Sequence, residues 1–221
     1  MYGYQLVILW LVLFVLLFYP IFKDFNTLYK TIGYWCVIML FITTFEFMLP
    51  FHFDMMCEKG KYYKKNGCCY WNEPDKKISD MFSPKMYMEL YSDYSLSDCK
   101  YRKNLGHDGF HFVMFGELWH GFLSGIFAVL SLYYLFTDKT SKNFFLSIFT
   151  LGVIQLVLIL WYVSPVILEL FIEKSGNHYS KWWFPPFLWN VPWFIIPPLL
   201  IHEGANGLLS PSLNYCQRTI S

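Results

Sequence analysis

Long apolar runs separated by short polar links dominate this chain. Residues 4–22 are almost unbroken Leu, Val, Ile and Phe, about the length one helix needs to cross a bilayer core. No basic segment precedes the run and no small-residue cleavage site follows it, so it reads as an uncleaved first span rather than a signal peptide. Pro20 stands near its end, and a polar link follows over residues 23–31. A second span is predicted over 32–51, ending near Pro50 and carrying Thr43, Thr44 and Glu46. The third, 110–136, reads FHFVMFGELWHGFLSGIFAVLSLYYLF and holds Glu117 and His120 one turn apart. After a turn at 137–143 the fourth span, 144–171, has Gln155 in its interior and Pro165 where a kink or stop is expected. Glu169 and Glu173 are placed near the interface at its exit. The fifth, 182–201, contains Pro185, Pro186, Pro192, Pro197 and Pro198. It must kink and have its freed carbonyls satisfied by neighbours. Asn190 and Trp193 share one of its faces, and a polar Gly/Asn/Ser-rich tail is expected after Glu203.

The pattern predicts an all-α integral membrane protein of about five transmembrane helices in one bundle enclosing an intramembrane cavity. Residues 1–31 form the first helix and its link, 32–204 a four-helix membrane domain, and 205–221 the tail. Between the second and third spans, residues 52–109 are charged, Tyr-rich and Cys-containing. Within them, 85–94 (KMYMELYSDY) reads either as an amphipathic helix lying on the membrane over a cavity mouth or as part of a disulfide-tied surface loop. Cys57, Cys68, Cys69 and Cys99 cluster there as disulfide partners of an oxidising compartment do, and they lack the paired CxxC spacing of a zinc site. Counting Lys and Arg would put this loop in the cytosol. Its cysteines, its Asp and Glu content and its length favour the lumen, which is the reading taken.

Composition narrows the class further. The chain has 221 residues, 56% hydrophobic and 15% charged, too apolar for a soluble domain of this length. A net charge of +1 supplies no basic face for nucleic acid. Aromatic residues at 22% suit interface belts and a pocket for a flat apolar ligand.

The polar residues inside the spans carry the candidate chemistry. An ionisable group within the hydrocarbon costs several kcal/mol unless it faces a partner or a wet cavity. In a packed bundle Glu46, Glu117 and Asn190 can converge from three helices, with Trp193 and His120 beside them. Two carboxyl groups held close together in apolar surroundings resist ionising together, so one can act as acid while the other acts as base. Trp193 could face a developing carbocation. Taken singly, each glutamate could instead bond between helices, Asn190 could cap carbonyls beside the prolines, and Trp193 could be packing or belt. His120 could orient Glu117 or bond the adjacent helix. Glu117-Leu118-Trp119-His120 has the Glu-x-x-His spacing of di-iron bundles, with His107 and His111 upstream, yet no other span supplies a second such motif, so no metal is assigned. His52, His178 and His202 fall near predicted interfaces.

Three segments resemble the EXPERA-domain family of emopamil-binding and sterol isomerase-like proteins. FITTFEFML is similar to the family segment in which a histidine precedes a glutamate by one turn. Glu46 matches the glutamate, and the histidine position falls on Ile42, or on Thr43 in a shifted register. MFGELWHG is similar to the segment of the second acid, at Glu117, and FLWNVPWFIIP to the Asn-x-x-Trp segment, at Asn190 and Trp193. The resemblance covers roughly 32–204, with the first span matching the additional helix of the emopamil-binding branch. It implies an endoplasmic-reticulum membrane protein whose bundle encloses a cavity for a sterol or an amphiphilic amine. It also implies an acid/base shift of a ring double bond by Glu46 and Glu117, with no redox cofactor, His120 being a candidate imidazole and Thr43, Gln155, Asn190 and Trp193 candidate ligand contacts. A non-catalytic sterol or cationic-amphiphile receptor or trafficking protein of the sigma-two type is the alternative, and a structural membrane protein with interlocking polar groups is the third. The expected partners are a sterol or other amphiphile and membrane lipid, with a homodimer as the candidate assembly.

Overall fold

The computed structural model describes residues 1–67, 70, 73–97, 109–172 and 184–210. Side chains are described for these except 50, 53–54, 57, 64, 81–82, 84, 93–97, 109–114, 162–172 and 184–190. Among the described residues the chain is all helical, with α1 (Gly3–Phe22), α2 (Thr27–Met48), α3 (Phe53–Asn66), α4 (Pro84–Ser97), α5 (Gly109–Thr137), α6 (Lys142–Ile172) and α7 (Phe184–Leu209). Among the described residues four stretches are long and apolar enough to cross a membrane: Gly3–Phe22, Thr27–Met48, Phe115–Thr137 and Lys142–Trp161. Local chemistry sets the ends. Asn26 Oδ1 accepts the Tyr29 N–H at 3.0 Å, an N-cap that starts α2 inside the link expected over 23–31. Ser141 does the same for α6, its Oγ accepting the Phe144 N–H at 3.1 Å. α6 continues past Pro165 to Ile172. In α7, Pro185 and Pro186 occupy the first turn, where no intrahelical donor is lost. The helix then runs through Pro192, Pro197 and Pro198.

The chain divides into two compact units. The first comprises Met1–Pro20, Phe45–Leu118 and Ser164–Asn190. In it α1 buries one face, Leu6, Val7, Trp10 and Phe14, and turns Val12, Val15, Leu16 and Leu17 outward. A continuous Leu/Val face at the surface suits a lipid environment. The segment over 52–109 contains a small helical subdomain in which α3 packs on α4. Met86, Tyr87, Met88 and Glu89 are all buried, so this part of α4 is enclosed on every side rather than lying as a one-sided amphipathic helix on the membrane. Ser92 Oγ donates within hydrogen-bond reach of the Met88 and Met56 carbonyls, tying α4 to α3. Cys68, Cys69 and Cys99, and the side chain of Cys57, lie outside the described residues, as do the side chains of Glu169 and Glu173.

An ion network holds this subdomain together. Glu73 accepts from Lys59 Nζ at 2.6 Å, from Lys76 Nζ and from the Tyr63 hydroxyl at 2.9 Å, and Lys76 also reaches Glu89 at 2.5 Å. Burial alone would push the Glu73 carboxyl up, but the bonds from Lys59, Lys76 and Tyr63 and the charge of Lys76 outweigh it and hold it below its ordinary value. Burial likewise pulls Lys59 down, and Glu73 and Glu89 more than restore it, leaving it above its ordinary value.

The second unit comprises Ile21–Thr44, Trp119–Val163 and Val191–Ser221. Its α6 and α7 approach through small residues. A Cβ on Gly152 would lie 2.8 Å from the Pro197 carbonyl oxygen, and one on Gly204 or Gly207 would run into Phe149 or the Phe145 ring. This contact explains why α7 extends to Leu209. The Gly/Asn sequence after Glu203, expected as a polar tail, is a small-residue packing face as far as Gly207. Ser131 Oγ donates to Ser147 Oγ at 3.1 Å between α5 and α6, both buried. Near the α5–α6 turn, Phe22 stacks on Phe136 at 5.8 Å, and Lys139 Nζ lies 5.2 Å from the Phe25 ring centroid.

Two outcomes follow from this packing. Gly207→Leu should lower thermal stability in detergent by about 1–3 kcal/mol through overpacking against Phe145, whereas Leu209→Ala, at an 84% exposed position, should leave it nearly unchanged. Glu73 has a folded value below its ordinary 4.5, so its stabilisation is complete above 4.5 and is lost as pH falls through that lower value. Lys59 has a folded value above its ordinary 10.5, so its share is present below 10.5 and is lost as pH rises through that higher value. Hydrogen exchange of α3 and α4 should therefore stay slow between these limits and quicken, after correction for intrinsic rate, beyond either one.

Candidate functional site

α2 presents Trp35, Met39, Thr43 and Glu46 along one buried stripe, at spacings of four, four and three residues. In the first unit, at the end of that stripe, Glu46 is 4% exposed. Glu117, on α5, is half-buried, and a carboxylate oxygen of each lies within 4.8 Å of the other. The Tyr91 hydroxyl of α4 donates to Glu46 Oε1 at 3.2 Å. His120 stands one turn beyond Glu117 on the same helix and is buried. Within the first unit, Glu46 and Glu117 offer two carboxylates. His107 and the side chains of His111 and Asn190 lie outside the described residues, as does His178. His202 is exposed, with Nε2 at 2.9 Å from Asn206 Nδ2.

In the second unit Trp193 packs edge-on against two rings, His120 at 4.9 Å and Trp35 at 5.4 Å. Trp35 Nε1 donates to Gln155 Oε1 at 2.9 Å. That bond fixes the orientation of the Gln155 amide, because an indole N–H has only an acceptor to seek. The amide nitrogen of Gln155 and the hydroxyl of Ser124, one turn beyond His120, are buried without a hydrogen-bond partner. Thr43 is buried, its hydroxyl 3.4 Å from the Leu40 carbonyl and facing Gly125, where a Cβ would approach it to 3.3 Å.

Of the residues singled out from sequence, Glu46 with Glu117 and Trp193 with His120 are brought together, and Gln155 is tied to Trp193 through Trp35. Sequence reading did not single out Trp35, Tyr91 or Ser124. Trp35 was legible, since it repeats the helical spacing of Thr43 and Glu46. Ser124 also was, standing four residues from His120. Tyr91 carried no such signal, because its partner is set by how α4 folds back toward α2.

Trp35→Phe should cost about 1–3 kcal/mol in thermal unfolding, since it leaves a buried amide oxygen unpaired. In a Gln155→Leu background the same change should cost clearly less, and an equal cost in both backgrounds would rule out the pairing. Comparison with known proteins adds no further constraint: no family model, no curated protein and no solved structure matches the chain.

Proposed function

We propose that Glu46 and Glu117 form an intramembrane acid/base pair that shifts a ring double bond of a sterol or similarly flat apolar substrate. The observation that carries this reading is the placement of two carboxyl groups within 4.8 Å of each other, one of them buried, on two helices apolar enough to span a bilayer. Two acids at that distance suit a reaction that adds one proton and removes another. One carboxyl protonates an alkene carbon, which leaves a carbocation on its neighbour. The other takes a proton from the carbon next to that cation, and the electron pair of the broken C–H bond forms the displaced double bond. The substrate gains and loses one proton, and the pair is restored with its acid and base forms exchanged. The Tyr91 bond holds Glu46 in place for this work.

The resemblance to EXPERA-domain proteins over residues 32–204 supports the same chemistry and extends it. Under that likeness the helices form one bundle around a sterol cavity in the endoplasmic-reticulum membrane, Asn190 contacts the ligand, and Trp193 is the ring that faces the cation. One feature favours a second reading. Where the family pattern has a histidine one turn before Glu46, this chain has Ile42, or Thr43 in a shifted register. A non-catalytic receptor for sterols or cationic amphiphiles would keep a glutamate to pair with a ligand amine while losing turnover.

Proteoliposomes carrying the protein in deuterated water should convert an 8-ene sterol to its 7-ene isomer with one deuterium incorporated. Glu46→Gln and Glu117→Gln should each lower the rate by at least ~10²-fold. No conversion by well-folded protein, together with saturable binding of a cationic amphiphile that Glu→Gln removes, would establish the receptor reading instead.

A further inference from the structure

The chain leaves the second span without a linker. α2 ends at Met48, a single 3₁₀ turn occupies Leu49–Phe51, and α3 begins at Phe53. α3 therefore starts at the membrane surface. Its inner face, with Met56 and Tyr63 both 0% exposed, packs into the subdomain. Its outer face carries apolar side chains as well, beside Glu58, Lys61, Lys65 and Asn66. Phe51 is 71% exposed, Met55 46% and Tyr62 48%, and this stripe continues from Phe47, an outward residue in the last turn of the span. The Phe47 and Phe51 rings lie 6.2 Å apart, so the stripe crosses the 3₁₀ turn without a break.

Charge at the edge of the stripe fits the headgroup layer. Lys61 and Lys65 are exposed, and Glu58 is the one exposed acid among the described side chains of α3. Lys59, by contrast, is committed to Glu73 and Glu89 inside the subdomain. Long lysine side chains can lay their methylenes along apolar surface and carry the ammonium to phosphate. A helix with apolar side chains outward, lysines at the margin and a bilayer-crossing helix ending a few residues before it has one surface within reach, the bilayer that α2 spans.

We propose that α3 is an interfacial helix of that bilayer, with Phe51, Met55 and Tyr62 reaching the acyl boundary and Lys61 and Lys65 on lipid phosphates. The proposal requires only that α2 crosses a membrane and is independent of the isomerase reading. It is tested with the full chain in phospholipid nanodiscs containing photoactivatable phosphatidylcholine, its diazirine either near the glycerol or at the acyl chain end, followed by peptide mapping. The shallow probe should label residues 51–66 several-fold more than the deep probe, while α1 takes label from both. Met55→Asp/Tyr62→Asp should cut shallow labelling of this segment by ~5-fold with α1 labelling unchanged. The proposal is overturned if the segment takes no label while α1 does, if the deep probe labels it as well as the shallow one, or if the double variant is labelled undiminished. Crosslinks joining two copies through this face in place of lipid adducts would also overturn it.

Discussion

Holding two carboxyl groups inside apolar helices is the demand that the rest of this molecule meets. In hydrocarbon a charge has no water to solvate it, so a carboxylate there needs a proton, a cation or a dense set of donors. Glu46 and Glu117 meet this demand together. They face each other within 4.8 Å, and Tyr91 is brought from outside the spans to donate to Glu46. The polar subdomain is therefore more than a loop covering: α4, which carries Tyr91, is fastened to α3 by Ser92 and by the salt bridges of Glu73 and Glu89. An ion network in the polar subdomain thus supports the element that hydrogen-bonds a glutamate of α2.

The second unit uses the opposite economy. Its helices approach through Gly152, Gly204 and Gly207, so that dispersion contacts, which lipid cannot outcompete when backbones come this near, hold α6 to α7. Close packing leaves little freedom to the aromatic side chains. His120, Trp193 and Trp35 lie in successive edge-on contact, and the last bonds to Gln155. The unpaired Gln155 nitrogen and Ser124 hydroxyl are the costs carried by this arrangement.

The two faces of α3 show how one short helix serves two solvents. Met56 and Tyr63 are buried against protein, whereas Phe51, Met55 and Tyr62 are left outward directly after a span. The sequence pattern leaves 85–94 open between an amphipathic helix on the membrane and part of a disulfide-tied surface loop. In the fold Met86, Tyr87, Met88 and Glu89 are buried, with Glu89 neutralised by Lys76 and Lys59 rather than by water. Local alternation cannot reveal that a distant lysine will pair with a buried glutamate.

The apolar helices and the ionisable residues within them are legible from the amino-acid order alone, because hydropathy acts over one helical turn. So is the placement of Glu117 and His120 on one side of α5, since residues three apart on a helix share a face. Only the tertiary structure decided that Glu46 meets Glu117, that Tyr91 reaches Glu46, that Trp35 joins Trp193 to Gln155, and that the glycines after Glu203 belong to a packed helix. Those pairings depend on the rotation and depth of each helix against its neighbours, and these are set by how side chains of distant segments fit together.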